Sequence, residues 1–122
     1  MQALLVIAHG SRRTESNDEI RSLTRLLADK ALADYAIVRC AFLELAEPSI
    51  PDGIEQCIRD GAQEVIVLPY FLSAGRHVAQ DIPNEVRGKQ EEHPQVTIRI
   101  APYLGANADI AELLLKTASI PA

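Results

Sequence analysis

Two histidines and a glutamate follow three different predicted strands, where their side chains could bind a metal ion or carry protons. His9 and Glu44 each stand one residue after an apolar strand-like run, and His77 lies in the loop a few residues after a third. Two imidazoles and a carboxylate can bind a divalent transition ion and leave coordination positions open. Imidazole also exchanges protons near neutral pH, because its free pKa is about 6.5. This set therefore indicates metal or proton-transfer chemistry.

Each of these residues also has a purely structural interpretation. His9 could be a loop residue bonded to backbone, and His77 could be an ordinary helix-start residue. Glu44 could be a solvated carboxylate or a helix cap, and Glu47 is a rival for its role. The remaining histidine, His93, stands between two glutamates and a proline, which predicts a surface loop residue.

Small, hydroxyl-bearing and positively charged residues flank both histidines. Those that could contact a bound ligand are Ser11, Arg12, Arg13, Ser73, Gly75 and Arg76. Arginine binds carboxylates through paired hydrogen bonds. Positive charge at a helix N-terminus opposes the helix dipole, so arginines clustered there indicate an anionic ligand, although surface charge would explain them equally well. Gly10 and Gly75 permit positive φ and close approach of a ligand, but ordinary turns also use glycine.

The apolar pattern alternates between strand-like runs and helical spacing. Strands are predicted over 3–8, 35–43, 64–71 and 96–101. Helices are predicted from Thr14 or Ser16 to about 31, from Ser49 to Gly61, over 78–91 with a break near Pro83, and over 106–116. Residues 119–122 are expected to fray. Ser16 and Glu19 have the spacing of a capping box.

This order predicts an α/β fold, a single doubly wound, flavodoxin-like parallel sheet of four strands with helices on both faces. The simplest strand order is 2-1-3-4. Such sheets bind ligands at the carboxyl ends of their strands, where the strand order reverses. His9, Glu44 and His77 are therefore expected to meet at one edge of the sheet.

Composition excludes several classes of function. The 122 residues suit one domain, 1–122, and 48% are apolar, whereas aromatic residues make up 4% and tryptophan is absent. A net charge of −5 and few aromatic side chains argue against nucleic acid as a partner. The chain shows neither a signal peptide nor an apolar run long enough for a membrane. Cys40 and Cys57 are predicted to be free thiols. The expected location is the cytoplasm.

Three segments resemble the small class II chelatases, the CbiX-like sirohydrochlorin cobaltochelatases and ferrochelatases. The segments are LLVIAHGSR over 4–12, FLELAEPS over 42–49, and LPYFLSAGRHV over 68–78 with DIP over 81–83. The likeness extends from residue 3 to about residue 103. The three motifs in this order are quite specific, although none would suffice alone.

The resemblance implies a lyase that inserts Co²⁺ or Fe²⁺, with Ni²⁺ as a further candidate, into sirohydrochlorin without ATP. The metal is then a substrate, and no permanently bound cofactor is expected. His9, His77 and Glu44 would occupy the metal-handling and catalytic positions, and the flanking set around the histidines would bind the substrate's acetate and propionate arms. Leu45 and Leu72 would wall the cleft. Because longer relatives fuse two such domains, the resemblance also implies a homodimer; it does not choose the metal or decide between sirohaem and cobalamin synthesis.

Three rival interpretations remain. A non-enzymatic carrier of metal or tetrapyrrole could use the same pocket. A histidine phosphatase would need an arginine just before its nucleophilic histidine, where this chain has Ala8. A flavodoxin-like module would need a phosphate cradle after the first strand, and the sequence there lacks the Ser/Thr/Gly-rich character of one.

Overall fold

A computed structural model describes residues 1–31 and 33–121 of the chain. Four strands alternate with four helices: β1 (Gln2–Ala8), α1 (Thr14–Lys30), β2 (Ile37–Phe42), α2 (Ile50–Arg59), β3 (Glu64–Pro69), α3 (Ile82–Glu92), β4 (Thr97–Ile100) and α4 (Ile110–Ala118). A π-helical turn, His77–Asp81, leads directly into α3, and a 3₁₀ turn, Leu104–Ala106, precedes α4.

The strands form one sheet in the order β2-β1-β3-β4, and every neighbouring pair is parallel. This confirms the predicted doubly wound fold and its strand order. The central strand β1 is a continuous apolar run because it is buried on both faces from Ala3 to Ala8. Its carboxyl end, between β2 and β3, is the point where the strand order reverses.

The main core lies between the sheet and helices α2 and α3. Leu5 of β1 and Val67 of β3 are neighbours in the sheet and pack with Ile54 of α2 and Ile82 of α3, all fully buried. Ser49 caps α2 as predicted, since its side chain accepts a hydrogen bond from the backbone N–H of Asp52. Because right-handed crossovers lead to β2 on one side and to β3 and β4 on the other, α1 packs on the opposite face, against β2.

The start of α1 differs from the prediction. Neither Thr14 nor Ser16 caps the helix; Arg13 occupies the N-cap position without a side-chain hydrogen bond. The buried Asn17 instead holds the preceding loop, because its amide donates to the Ser11 carbonyl over 2.8 Å and accepts from the Ser11 N–H over 2.9 Å. The predicted capping box is therefore wrong. Two hydrogen bonds from the Asn17 side chain hold the loop before α1 instead.

The ends of two other elements also differ from the predicted ones. Strand β3 ends at Pro69, before the predicted limit of residue 71, and one further backbone bond joins it to β1, from Tyr70 N to Ile7 O at 2.8 Å. The final helix begins at Ile110 rather than at residue 106, after the 3₁₀ turn. Residues 119–121 lie outside the helix, and the predicted fraying of residue 122 falls outside the described residues.

His93 is not a free surface residue as predicted. Its side chain is 20% exposed, and its Nε2 lies 2.9 Å from Glu55 Oε1. Lys89 Nζ contacts the same oxygen at 2.8 Å, and together they lower the pKa of the Glu55 carboxyl to about 2. The three side chains tie α3 and its C-terminus to α2, away from the other two histidines.

The two cysteines are free, as predicted. Cys57 is buried in α2, and burial raises the pKa of its thiol to about 11. Over the described ranges, no helix combines the length and apolar character that crossing a bilayer requires.

Candidate functional site

Gly10 lets the loops after β1 and β2 lie against each other. It has a φ of +93°, and a Cβ on this residue would lie 1.7 Å from the Glu44 carbonyl oxygen. The loops are also joined by backbone hydrogen bonds from Leu43 N to Ala8 O at 2.9 Å and from Glu44 N to His9 O at 3.1 Å. As a result, the Glu44 carboxylate lies 3.3 Å from Nε2 of His9.

The second predicted histidine reaches the same place from the far side of β1. The rings of His9 and His77 are 5.1 Å apart between centroids and nearly perpendicular, at 86°. Nδ1 of His77 lies 2.7 Å from Oδ2 of Asp81, four residues along the π-helical turn. Since the carboxylate accepts the Nδ1 proton, neutral His77 carries its lone pair on Nε2. The turn thereby orients the ring and selects its tautomer.

A cavity of about 680 Å³ opens beside His9, between α1 and the end of β3. Its walls come from the loop after β1, the inner side of α1, and the aromatic pair after β3; the apolar members are Ala8, Ile20, Leu23, Leu26, Tyr70 and Phe71. The Phe71 ring lies 6.5 Å from the His9 ring. A large, mostly apolar cavity with a few polar groups at one end is typical of a small-molecule site.

A second hollow, of about 370 Å³, lies on the other side of the histidine pair and is strongly acidic. Its lining is Leu43, Glu44, His77, Asp81, Asn84 and Glu85. Within the described part of the chain, Oε2 of Glu85 is buried without a hydrogen-bond partner. Burial, followed by the nearby charge of Asp81, raises the pKa of Glu85. Neither carboxylate was predicted from the sequence as a site residue; their signal was the spacing of four residues from His77 to Asp81 and again to Glu85, which places them along one helical face.

The predicted ligand-binding residues are distributed unevenly. Ser11 lines the large cavity, but its hydroxyl already accepts a hydrogen bond from Arg13 N at 3.0 Å. The Arg13 guanidinium is exposed and lies 3.7 Å from Glu15. Arg12, Ser73 and Arg76 are exposed as well and line neither cavity.

Some expectations about the loop residues were wrong. Gly75 has no positive φ, and a Cβ there would meet nothing within 4 Å, so the geometric need for glycine holds at Gly10 alone of the two. Leu45 and Leu72 are 55% and 68% exposed and line neither cavity. Glu47 is exposed, and its carbonyl accepts from Arg21, whereas the Glu44 carboxylate is the one beside His9.

The arrangement is open rather than a closed metal cage. Within residues 1–31 and 33–121, His, Cys, Asp and Glu side chains do not form a group of three or more with the geometry of a metal centre. His9 lies between the other two side chains in space: its ring is next to that of His77, and its Nε2 is next to the Glu44 carboxylate.

Known proteins similar to this chain include two sirohydrochlorin chelatases. The chain is 38% identical to the chloroplastic sirohydrochlorin ferrochelatase of Arabidopsis thaliana over 102 residues, covering 84% of this chain and 44% of the relative. It is 33% identical over 93 residues to the sirohydrochlorin cobaltochelatase of Methanocaldococcus jannaschii, covering 76% and 64%. The chain thus spans less than two thirds of the length of these relatives.

Solved structures show the same fold. The sirohydrochlorin chelatase SirB of Bacillus subtilis subspecies spizizenii, in complex with cobalt, superposes with a TM-score of 0.82 at 28% identity, covering 94% of this chain and 48% of that one. A cobalamin biosynthesis CbiX protein of Marinobacter aquaeolei superposes with a TM-score of 0.77 at 27% identity, covering 96% and 93%. The CbiX family model matches residues 3–119. From these matches, this chain belongs to the CbiX family.

Proposed function

We propose that this chain inserts a divalent metal ion, Co²⁺ or Fe²⁺, into sirohydrochlorin. The observation that carries the proposal is the meeting of His9 and His77, with ring centroids 5.1 Å apart, at the carboxyl edge of the sheet beside a cavity of about 680 Å³. The names of the relatives, sirohydrochlorin ferrochelatase and cobaltochelatase, supply the substrate.

In this reaction, the two positive charges of the metal ion replace those of two protons. One M²⁺ ion enters the macrocycle, and two pyrrole N–H protons leave, so the metallated ring gains no net charge. The ion sheds water as it binds the imidazoles, and the protons need acceptors close to the ring nitrogens. Nε2 of His77 carries a lone pair for this purpose, and Asp81 stabilises the imidazolium that forms when it takes a proton.

His9 and Glu44 act as the facing pair. The 3.3 Å contact between Nε2 of His9 and the Glu44 carboxylate lets one group pass a proton to the other. The same two groups, together with His77, offer one carboxylate and two imidazole donors to the incoming ion. This donor set suits iron, cobalt and nickel alike and does not choose between them.

The substrate's acidic arms are assigned to the rim of the site. Arg12 and Arg13 are exposed cations in the loop that follows His9, and the exposed Arg76 directly precedes His77, on the same loop as Gly75 and Ser73. Exposed arginines can pair with several carboxylates without the cost of burying a charge. The apolar ring would lie against the walls formed by α1 and Phe71.

The test is metal insertion by the purified chain. Sirohydrochlorin is incubated with Co²⁺, Fe²⁺ or Ni²⁺ separately, and the absorption change of the ring is followed. His9→Ala and His77→Ala should each lower the rate by about 10²-fold or more, the usual contribution of a placed acid–base group. His93→Ala is the matched control, because that histidine bonds Glu55 outside the site. Normal rates in both site variants would end the proposal.

The same assay separates an enzyme from a carrier. A carrier of metal or tetrapyrrole would bind about one equivalent and stop, whereas a chelatase converts many equivalents. We also propose, from the resemblance to the chelatase family, that the chain works as a homodimer in the cytoplasm. Light scattering of the purified chain tests the dimer, and cell fractionation tests the location.

A further inference from the structure

Glu44 lies in a loop that leaves β2 and returns to it. The backbone N–H of Phe42 donates to the Pro48 carbonyl at 2.8 Å, which closes the base of the loop. Leu43 and Glu44 form the outgoing limb, and their N–H groups donate to backbone carbonyls at and after the end of β1. Glu47 belongs to the returning limb. The position of the Glu44 carboxylate therefore depends on how both limbs are held.

Leu45, directly after Glu44, has a left-handed backbone. Its φ is +65°, and in the part of the chain that the structure describes it is the one non-glycine residue with a positive φ. This conformation brings Cβ close to the following carbonyl oxygen and is disfavoured for leucine. The Leu45 side chain is exposed, so its burial offsets little of this cost. The hydrogen bonds of the surrounding loop must therefore impose the conformation.

Arg21 of α1 holds the returning limb. Its Nη2 donates to the Glu47 carbonyl at 3.0 Å, and its Nη1 donates to Oδ1 of Asp18 at 3.0 Å. The guanidinium carbon also lies 5.1 Å from the centre of the buried Phe42 ring. Hydrogen bonds from a charged donor are strong, and the planar guanidinium loses little freedom in forming them. Arg21 is thus a rigid link between α1 and the loop that carries Glu44.

We propose that Arg21 is a positioning residue for the metal-binding carboxylate of Glu44. By holding the Glu47 carbonyl, Arg21 fixes the returning limb and keeps Leu45 left-handed. This turn directs the Glu44 carboxylate to within 3.3 Å of Nε2 of His9. A hydrogen bond from a charged group and the cost of a positive φ are similar in size, so loss of the bond releases the turn. The inference rests on the role proposed above for Glu44 as a donor to the incoming ion.

The consequence for metal binding is a carboxylate that is already in place. The Glu44 side chain is exposed, so without a fixed backbone it would sample many orientations in solvent. With the turn held, the ion meets the carboxylate beside the His9 ring. Residues that orient a metal ligand in this way typically change the affinity for the metal by about 10–100-fold.

The backbone of Leu45 provides a test that needs neither metal nor tetrapyrrole. A positive φ brings the amide and α protons of one residue close together, which produces a strong nuclear Overhauser effect between them. We expect this signal for Leu45 in the wild type and its loss in Arg21→Ala. Arg25→Ala, one turn further along α1 where the guanidinium bonds Ser22, is the matched control and should keep the signal. A strong signal in Arg21→Ala, or its absence from the wild type, would overturn the proposal.

Cobalt binding tests whether Arg21 acts through Glu44. Co²⁺ alone is titrated into the purified chain, and the visible absorption of the bound ion is followed. Arg21→Ala should weaken binding about 10-fold, and Glu44→Gln should weaken it at least as much. Adding Arg21→Ala to Glu44→Gln should then cause no further loss, because the group that Arg21 positions is already gone. Arg21→Lys, which keeps the charge and one donor, should recover part of the affinity.

The possible results separate this inference from the proposed function. Additive losses in the double variant would overturn the positioning role of Arg21. Wild-type binding by Glu44→Gln would instead overturn the donor role of Glu44 in the proposed function, while the signal of Leu45 would still decide whether Arg21 holds the turn.

Substitutions of Leu45 test the turn itself. Asparagine accepts a left-handed backbone, whereas β-branched valine resists it. Leu45→Asn should therefore keep wild-type affinity for Co²⁺, and Leu45→Val should weaken it about 10-fold, as Arg21→Ala does. Both variants should keep the wild-type circular dichroism, because the side chain is exposed. Equal affinities of the two variants would show that the turn does not direct Glu44 and would overturn the proposal.

Discussion

Replacing Gly10 with alanine should both destabilise the protein and separate His9 from Glu44. The new Cβ would stand 1.7 Å from the Glu44 carbonyl oxygen, half the 3.4 Å of an ordinary contact. Either the backbone of the loop after β2 must retreat or Gly10 must leave its φ of +93°. Both movements pull apart the hydrogen bond from Glu44 N to His9 O.

The expected loss of stability is about 3 kcal/mol. A positive φ costs a residue with a Cβ about 1–2 kcal/mol, and each of the one or two hydrogen bonds lost between the loops adds about 1 kcal/mol. For a chain of this size the melting temperature should fall by roughly 10–15 °C. Metal insertion should fall by about 10²-fold even where the variant is folded, because an ångström of misplacement at a reacting group has that effect.

Urea unfolding followed by circular dichroism, together with the insertion assay, measures both effects. Gly88→Ala is the matched control, since Gly88 lies inside α3 with nothing within 4 Å of the added Cβ; it should gain up to about 1 kcal/mol from helix propensity. Gly75→Ala, in the site loop, should change stability by less than about 0.5 kcal/mol. If Gly10→Ala unfolds at the wild-type midpoint and keeps full activity, the contact between the two loops does not hold the site together.

Three further predictions concern individual side chains. Asp81→Asn should slow metal insertion by about 10–100-fold with little change in stability, and nitrogen NMR should show a changed tautomer of His77; an unchanged tautomer would contradict the assigned role. The pKa of Glu55 is lowered to about 2 by hydrogen bonds from Lys89 and then His93, so its ionised form contributes stability that is present above about pH 4.5 and lost as the pH falls toward 2. In Glu55→Gln, the free energy of unfolding should therefore fall less steeply as the pH is lowered from about 4.5 toward 2. A dependence on pH identical to that of the wild type would refute this linkage. Cys57, with its thiol pKa raised to about 11 by burial, should resist iodoacetamide until the chain is unfolded; rapid labelling of folded protein would show that the helix opens.

The sequence alone was enough to predict the elements and their order in the sheet. Apolar runs such as 3–8 and helical spacing in α2 are local patterns, and right-handed crossovers then leave few ways to order four parallel strands. The same rule brings the carboxyl ends of β1, β2 and β3 to one edge. That His9, Glu44 and His77 lie at one edge of the sheet was therefore predictable, because each follows its strand by only a few residues.

Contacts between distant residues decided the rest. Asn17 rather than Ser16 secures the start of α1, and His93 joins an ion-pair network, because each depends on a partner that only packing brings within reach. The perpendicular stacking of the two site histidines and the carboxylates of Asp81 and Glu85 beside them depend on the π-helical turn. Sequence periodicity predicts which face a side chain occupies, whereas the angles and distances that make a site arise when loops far apart in the chain are pressed together, as at Gly10.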